Sequence, residues 1–467
     1  VRGMLVPQSY VERKLILSVA GGVPPDVVRF YTHLGGEMMS RGGLEPLDDL
    51  IARDRFDLSD FYPIGIEQNT YKGRLYGVPW ILSPNALFYN KRLFREAGLD
   101  PNRPPKTWKE LEDYSVKLTK RTASGDIVCI GYTNFLNNPT DFHMYLWQTG
   151  GEPLSPDMKR IAFTSPEGVE ALTWMRDFLI KLAGPKETGL TKEQAVERAK
   201  NNLNRFRSSF SGPTQDQFGL EKVAMRVDSP FRIPSMLKYF PDLDYGIAPV
   251  PYNKVEAMEV VGNSLVIPRG SKHRDAAWEF IKFASSREQM LTVTNFNNQF
   301  SGRIPARKSA AKSEELYGNP LIAPFVDQIE RGYGRTTPIA PGYREVGDAL
   351  ARNIEQVFSG KLTPEAALKQ ASADGQKTLD KATEDMTRYP AVPWATLAVV
   401  TGVLLAVTIG FVWFVIIKQT RGHRMARREA VLFYLFLSPW LVGFIVLTLG
   451  SILASLVFSF TRWDILS

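Results

Sequence analysis

The sequence contains very little cysteine and histidine, and both shortages limit its chemistry. Cys129 is the one cysteine among 467 residues, which excludes an intrachain disulfide and a cluster of thiolate metal ligands. We expect its thiol to lie in the core. The four histidines are scattered without zinc-ligand spacing, so neither a metal nor another cofactor is expected.

Motifs of common catalytic machinery are also absent. The sequence has no G-x-S-x-G nucleophile elbow, no H-E-x-x-H metal-binding helix and no G-x-x-x-x-G-K-[ST] phosphate loop. These absences exclude the hydrolases, zinc peptidases and nucleotide-binding enzymes that depend on such motifs. The chain is therefore not predicted to be an enzyme.

Positive charge is in moderate excess, with a formal net charge of +8. Half of this excess lies after Trp394, where six lysine or arginine residues stand against two acidic residues. Binding of nucleic acid needs basic groups spread over a folded surface rather than collected in one short segment. No nucleic-acid partner is therefore predicted.

Two long charge-free runs occupy the C-terminal part of the chain, at 394–417 and 430–460. The first run would make a helix of roughly 36 Å, which exceeds the hydrocarbon core of about 30 Å. The second run, at roughly 46 Å, would have to tilt, kink or protrude. Both runs are predicted to be transmembrane helices, so the lipid bilayer is an expected partner.

The segment 418–429 between these runs carries five lysine or arginine residues. Short basic loops stay on the cytoplasmic side of a membrane. Residues 1–385 and the exit segment 461–467 are therefore expected outside the cytoplasm, with 386–393 as a linker. This topology predicts a multi-pass protein of the cytoplasmic membrane with an extracytoplasmic, periplasmic head.

Strand-like and helix-like segments alternate through residues 1–385, which is typical of an α/β fold. Short apolar runs predict buried strands, as in "DVVRFY", "ALFYN", "YGIAPV" and "NSLVIP". Helical spacing of apolar residues appears in "TWKELEDYSVKLTKR", "SPEGVEALTWMRDFLIKL" and "DAAWEFIKFAS". Thr107, Ser165 and Thr363 stand where helix N-caps are expected. Trp174 and Trp278 lie in apolar stripes and are assigned to the core.

Five ordered blocks within residues 6–385 closely resemble bacterial extracellular solute-binding proteins of sugar ABC importers, the family of maltose-binding protein. The blocks are "GGVPPDVVRFYTHLGG", "YKGRLYGVPWILSPNALFYNKRLFREAGLD", "VAMRVDSPF", "DYGIAPVPYN" and "VGNSLVIPRGSKHRDAAWEFIKFASSREQM". The resemblance implies two α/β lobes, joined by hinge crossovers, that close on a mono- or oligosaccharide. It places the crossings after "ALFYN", near "GNSLVIP" and before "PIAPGY". It also implies that the family's first strand, first helix and export signal precede Val1.

The last 34 residues, "YLFLSPWLVGFIVLTLGSILASLVFSFTRWDILS", are similar to the first core helix of the permease subunits of the same importers. Together, the two resemblances imply a binding protein fused to the N-terminal part of a permease. A permease and a cytoplasmic ATPase are then the expected protein partners. Nothing resembles the permease's cytoplasmic coupling loop, so this chain alone is not expected to transport.

A sugar site needs aromatic platforms for the ring faces and polar groups for the hydroxyls. The resemblance offers Phe231 and Tyr343 as stacking rings. Asp228 is a candidate acceptor, or alternatively a turn residue. Asn263 starts a strand that approaches the ligand, although an asparagine after glycine also suits a turn.

Further candidate ligand-binding residues flank the predicted crossings and the first strand. Trp80 and Asn85 flank the first crossing, where Trp80 has hinge packing as its alternative role. Tyr31 and His33 follow the first strand, and a surface histidine is the simpler interpretation of His33. Asp141 opens a helix, where it would otherwise be an N-cap.

Two other functions are compatible with these patterns. A membrane-anchored sugar sensor would need a cytoplasmic output domain downstream of Ser467. An exported carbohydrate-active enzyme would need a pair of carboxylates, whose separation is a spatial property that sequence does not give.

Overall fold

The computed structural model describes residues 3–32, 35–133, 139–185, 189–210, 212–294 and 302–383, together with isolated positions between 399 and 437. The chain divides into a compact unit, Val1–Thr383, and a second unit, Glu384–Ile465. Most of the predicted spans 394–417 and 430–460, and the segments 386–393, 418–429 and 461–467, lie outside the described residues. Among the described residues, no helix combines the length and apolarity that a bilayer crossing requires.

The described residues build two main sheets in turn and one small two-stranded sheet, and the first group of elements contains the small sheet and begins one of the main sheets. These elements are α1 (Gln8–Ala20), β1 (Val28–Tyr31), α2 (Gly35–Ser40), α3 (Asp48–Asp54), α4 (Pro63–Glu67), β2 (Thr70–Tyr71), β3 (Arg74–Leu75) and β4 (Gly77–Pro84). A second group forms the other sheet and its helices: β5 (Ala86–Asn90), α5 (Lys91–Glu96), α6 (Trp108–Leu118), β6 (Lys120–Arg121), β7 (Ile127–Tyr132), α7 (Pro139–Thr149), α8 (Pro166–Ala183), α9 (Lys192–Ser208), β8 (Val223–Asp228), α10 (Ile233–Tyr239) and β9 (Tyr245–Ala248).

The chain then returns to the first sheet and finally leaves it again. The returning elements are β10 (Met258–Val266), α11 (Arg274–Ala284), α12 (Arg287–Thr294), β11 (Ile304–Pro305), α13 (Lys308–Ala311), α14 (Glu314–Tyr317), α15 (Ala323–Glu330) and β12 (Gly334–Arg335). The last pair is α16 (Tyr343–Phe358) and α17 (Pro364–Thr383), which pack against α7, α8 and α9.

Each sheet is the centre of one lobe. The first-lobe sheet has the order β1-β10-β4-β11, with β12 also pairing with β10. The second-lobe sheet has the order β6-β7-β8-β5-β9, and its β7 and β8 are parallel. Both lobes are therefore α/β layers, and the predicted two-lobed α/β class is confirmed.

Local sequence signals explain where several helices begin. Thr107 accepts a hydrogen bond from Glu110 N at 3.2 Å at the start of α6. Ser165 and Thr363 similarly cap α8 and α17 through backbone donors three residues later. These side chains satisfy N–H groups that a helix leaves without intrahelical partners. The three predicted caps are thus present.

The core predictions for Cys129 and Trp278 agree with the structure. Cys129 is buried, and burial raises the pKa of its thiol to about 11. Trp278 is fully enclosed, and its indole N–H donates to Asp54 Oδ2 at 2.9 Å. Trp174 is only partly buried, but it stacks on Trp108 with 4.0 Å between ring centroids.

The first crossing between the lobes comes earlier than predicted. β4 belongs to the first sheet and β5 to the second, and only Asn85 separates these strands. The crossing therefore precedes "ALFYN" rather than following it. Residues 249–257 form the return, and residues 336–342 carry the chain to α16.

Gln328 of α15 joins the first two crossings. Its Nε2 donates to Asn85 O at 3.2 Å, and its Oε1 accepts from Val250 N at 2.9 Å. The side chain is 2% exposed, so few water molecules compete for these bonds. The two chain segments are thereby held side by side at the junction of the lobes.

Candidate ligand-binding site

The most exposed aromatic candidate, Phe231, lies at the junction of the two lobes. It belongs to a single 3-10 turn, Pro230–Arg232, that follows β8 of the second lobe, and its side chain is 59% exposed. From the first lobe, the guanidinium of Arg303 lies 5.4 Å from its ring centroid. Gly302 also packs closely on the backbone of this turn. Phe231 thus offers an accessible ring face where both lobes contribute groups.

Asp228 ends β8 and already has several partners. Its Oδ1 accepts from Ser229 N at 2.8 Å, which is the turn role considered from the sequence. Its Oδ2 accepts from Arg232 Nε at 3.0 Å and lies 3.4 Å from Arg226 Nε. A ligand hydroxyl here would share a carboxylate that is oriented and neutralised by arginines.

Asp141 lies in the first turn of α7, two residues after the helix begins at Pro139. This position within the helix rules out the N-cap role, which was the alternative considered for Asp141. Burial raises the pKa of Asp141 to about 7. The positive charge of Arg207 opposes this shift, whereas the negative charge of Asp228 reinforces it. The fold therefore brings two of the predicted polar residues into one electrostatic group around Arg207.

An open pocket of about 290 Å³ lies beside these residues in the second lobe. Arg207, Asp216, Arg226, Asp228 and Arg232 contribute to its wall. Arg226 Nη1 donates to Asp216 Oδ2 at 2.9 Å, whereas its Nη2 is buried without a hydrogen-bond partner among the described residues. The pocket therefore retains a buried donor for an acceptor atom of a ligand.

The first lobe contributes the ends of β1 and the middle of β10. Tyr31 is directly opposite Asn263, which in turn is opposite Ile81 of β4. Tyr31 is half-buried and its hydroxyl accepts from Arg29 Nη2 at 2.7 Å. Asn263 is 4% exposed, and its Oδ1 has no partner among the described residues. His33 lies outside the described residues.

Tyr343 occupies a different environment from that of an open stacking platform. It is 3% exposed, and its hydroxyl shares a 2.8 Å hydrogen bond with His143 Nε2. His143 is also buried, and burial lowers its pKa to about 3, which keeps the imidazole neutral near pH 7. In this conformation the Tyr343 ring is packed within the second lobe.

The two candidates at the first crossing have mainly structural contacts. Trp80 Nε1 donates to Ala284 O at 3.0 Å, which fixes the indole to the end of α11. Asn85 N donates to Glu259 O at 3.0 Å, and Asn85 O accepts from Gln328. The contacts of Trp80 match the packing role considered as its alternative.

Sequence reasoning missed two acidic residues and the arginine near them. Glu67 ends α4 in the first lobe, and Glu152 follows α7 in the second. Both are solvent-accessible, yet the surrounding protein raises the pKa of each, and the charge of Arg335 opposes both shifts. The sequence around Glu67 and Glu152 carries no signal that Arg335 lies near both.

Within the described ranges, no group of three or more histidine, cysteine, aspartate or glutamate residues is placed to hold a metal ion. Two α/β lobes with accessible aromatic and polar groups at their junction are the arrangement of a ligand-binding protein.

The comparisons identify the family. The family model described as bacterial extracellular solute-binding protein matches residues 6–291, and the chain belongs to this family. Its members and the matching structures are binding proteins of ABC transporters, so the chain is a binding protein rather than an enzyme. The prediction that it is not an enzyme is confirmed on this ground.

Curated relatives match most of the chain. A putative binding protein of Brucella abortus is 26% identical over 381 residues, which cover 81% of this chain and 85% of that protein. The sn-glycerol-3-phosphate-binding periplasmic protein of Shigella flexneri is 25% identical and the match covers 77% and 80%, respectively. The match to binding proteins thus extends well beyond one motif.

Solved structures give the same fold. A solute-binding protein of an ABC transporter from Thermotoga lettingae, bound to α-D-tagatose, has a TM-score of 0.65 and 26% identity over 79% of this chain and 89% of that chain. The protein CpMnBP1 with mannotriose bound has a TM-score of 0.65 and 28% identity, with coverage of 80% and 91%. Both matches support the two-lobed architecture described above.

Proposed function

We propose that the chain captures a mono- or oligosaccharide outside the cytoplasm and delivers it to an ABC-type import permease. The observation that carries this proposal is Phe231, an accessible aromatic ring at the lobe junction with polar groups from both lobes around it. An aromatic face suits the apolar face of a sugar ring, and the polar groups suit its hydroxyls. The ligands of similar proteins, tagatose, mannotriose and sn-glycerol 3-phosphate, support a carbohydrate or polyol.

Capture is proposed to occur by closure of the lobes around the crossings. A ligand that contacts Phe231 and Asp228 on one side and Tyr31 and Asn263 on the other binds best when both lobes are near. It therefore shifts the population toward the closed form. Gln328 keeps two crossing segments together and supports a hinge at this place. His33, Asn85, Asp141 and Tyr343 remain proposed contributors to binding, whereas Trp80 is assigned its alternative packing role.

We further propose that the head is joined to the start of a permease subunit. The charge-free runs 394–417 and 430–460 flank the basic segment 418–429, which supports two spans with a cytoplasmic loop. The linker 386–393 reaches at most about 29 Å when extended. Such a tether gives an effective concentration of order mM, so a weak contact between head and permease would be occupied. A second permease subunit and a cytoplasmic ATPase complete the proposed importer.

Ligand-induced thermal stabilisation tests capture. We expect at least one sugar of a broad panel to raise the melting temperature of the full chain, because ligand binds the folded state only. Phe231→Ala should reduce this increase. Phe283→Ala is the matched control, since Phe283 is also 59% exposed but lies on α11. A verified folded sample that responds to no sugar would contradict the proposal.

Reporter fusions test the attachment. A reporter inserted near residue 200 should be active only outside the cytoplasm, and one near residue 424 only inside it. The reverse pattern would overturn the proposed topology. Activity of both reporters on the same side would exclude the span proposed at 394–417.

A further inference from the structure

Arg303 places a positive charge of the first lobe on an aromatic ring of the second. It directly precedes β11, and its guanidinium carbon lies over the Phe231 ring at 5.4 Å from the ring centroid. Phe231 nevertheless remains 59% exposed, so a large part of its side chain is accessible to a ligand. A cation–π contact uses the charge of a guanidinium but none of the hydrogen-bonding capacity of its N–H groups.

The N–H groups of Arg303 have no acceptor among the residues that the structure describes, although this side chain is partly buried. Two other arginines that lie over phenylalanine rings use their donors within the protein. Arg226 Nη1 donates to Asp216 Oδ2 at 2.9 Å, and Arg307 Nε donates to Ser285 O at 2.6 Å. Arg303 differs from both because its donors are not used.

A partly buried guanidinium without an acceptor is unfavourable, because it gives up hydrogen bonds to water and gains none from the protein. Desolvation is the main cause that lowers the pKa of Arg303, in agreement with its partial burial. A sugar that stacks on Phe231 would bring hydroxyl oxygen atoms to the rim of this ring. Such atoms are the acceptors that Arg303 lacks.

We propose that Arg303 is a ligand-binding residue of the first lobe, which packs on the Phe231 ring and donates hydrogen bonds to hydroxyl oxygen atoms of the saccharide held there. Arg303 only donates, whereas the carboxylate of Asp228 only accepts, so the two side chains bind hydroxyl groups in opposite senses. A ligand held by Arg303 and Phe231 contacts both lobes. This inference rests on the proposed capture of a carbohydrate and deepens it by adding a residue that determines specificity.

Titration calorimetry on the full 467-residue chain in a mild detergent tests the contact. The probes are D-tagatose, mannotriose and the sugars of the thermal panel, and each sugar that binds is compared with its monodeoxy analogues. In the wild type, loss of the hydroxyl group that Arg303 binds should raise the Kd about 10- to 150-fold, the range of a hydrogen bond to a charged group. In Arg303→Met, that analogue and its parent sugar should bind with nearly equal Kd.

Arg303→Met removes every donor but leaves a flexible apolar side chain that still covers the ring. We expect it to raise the Kd of the parent sugar about 10- to 150-fold and Arg303→Lys to raise it less, because an ammonium still donates. Arg352→Met is the control, since Arg352 is exposed on α16 and its loss changes the net charge equally. The melting temperature without ligand should stay near that of the wild type. If Arg303→Met does not fold, Arg303→Lys serves in the same comparison with a smaller expected change.

The outcomes distinguish the two proposals. An unchanged Kd in Arg303→Met, or a deoxy penalty that persists undiminished in this variant, would overturn the role of Arg303 and leave carbohydrate capture standing. Tighter binding by Arg303→Met would also overturn it, because the guanidinium would then be covering the ring against the ligand. Failure of every sugar to bind a folded sample would overturn carbohydrate capture and this inference with it.

Discussion

Replacing Gly302 with alanine tests whether the lobe junction controls binding. A Cβ built at Gly302 would lie 2.6 Å from Phe231 Cα and 2.7 Å from Pro230 O. Ordinary contact begins at 3.4 Å, so the first distance is short by about 0.8 Å. Both obstructing atoms belong to the backbone of the second lobe and cannot rotate away. We therefore expect the methyl group to separate the lobes at this point.

The expected size of the effect follows from two separate costs. Gly302 has a φ of +67°, and placing an L residue in the left-handed region costs about 1–2 kcal/mol. Overpacking a close contact costs about 1–3 kcal/mol more. If the second cost falls on the closed form alone, the Kd of the ligand rises about 5- to 150-fold.

Gly98→Ala is the matched control for backbone strain. Gly98 has a φ of +69°, and a Cβ there would meet nothing within 4 Å. Both variants should lose similar stability in urea denaturation. Only Gly302→Ala should weaken ligand binding, and only in this variant should small-angle scattering show a larger radius of gyration of the liganded protein. If Gly302→Ala binds ligand as tightly as Gly98→Ala, the junction does not limit closure and the reasoning is wrong.

Three further changes separate structural from ligand-binding roles. His143 has a pKa of about 3 when folded, so only the unfolded state takes up a proton between pH 7 and pH 5. The free energy of unfolding, measured in urea, should therefore fall over this range by about 2 kcal/mol more in the wild type than in His143→Gln. Equal losses would show that His143 is accessible to protons in the folded state. The pKa of Asp141 is raised to about 7, so between about pH 4 and pH 7 the native state holds a proton that the unfolded state releases. The wild type therefore loses stability over this range, and the stability advantage of Asp141→Asn should grow from about pH 4 to about pH 7 and then level off. A pH-independent difference would contradict burial of that carboxyl group. Trp80→Phe removes the hydrogen bond to Ala284 O and should lower the free energy of unfolding by about 1 kcal/mol without changing the ligand Kd. A raised Kd would instead assign Trp80 to the binding site.

Much of the fold was predictable because it depends on local patterns. The capping residues Thr107 and Ser165 act within three residues of their own position. The burial of Trp278 was predictable from the helical spacing of apolar residues in the short segment "DAAWEFIKFAS" alone. Such signals need no knowledge of the rest of the chain.

The crossing at Asn85 was misplaced for the opposite reason. β4 and β5 are both buried strands, and burial does not reveal which sheet a strand joins. The partners that decide this, β10 for one strand and β8 for the other, lie far along the chain. Strand pairing over such separations is not encoded in local periodicity.

The candidate site shows the same limit. Phe231 was placed from its motif, and the structure gives it an accessible position. The hydrogen bond from Tyr343 to His143 joins residues 200 positions apart, and no local signal identified this partner. Arg303 is an ordinary arginine in the sequence, and only folding brings it over the Phe231 ring.

The interruption of one lobe by the other also determines the order in which the chain is able to fold during synthesis. Strands β5 to β9 are complete once residue 248 has been made, whereas β1 and β4 become neighbours of a common strand only when β10, residues 258–266, arrives between them. The sheet of the inserted lobe is thus able to form first, although α16 and α17 pack on its helices only later, and β1 and β4 lack their central partner until β10 is made. Chains arrested near residue 250 should accordingly yield a protease-resistant fragment from the insert and none from the N-terminal segment.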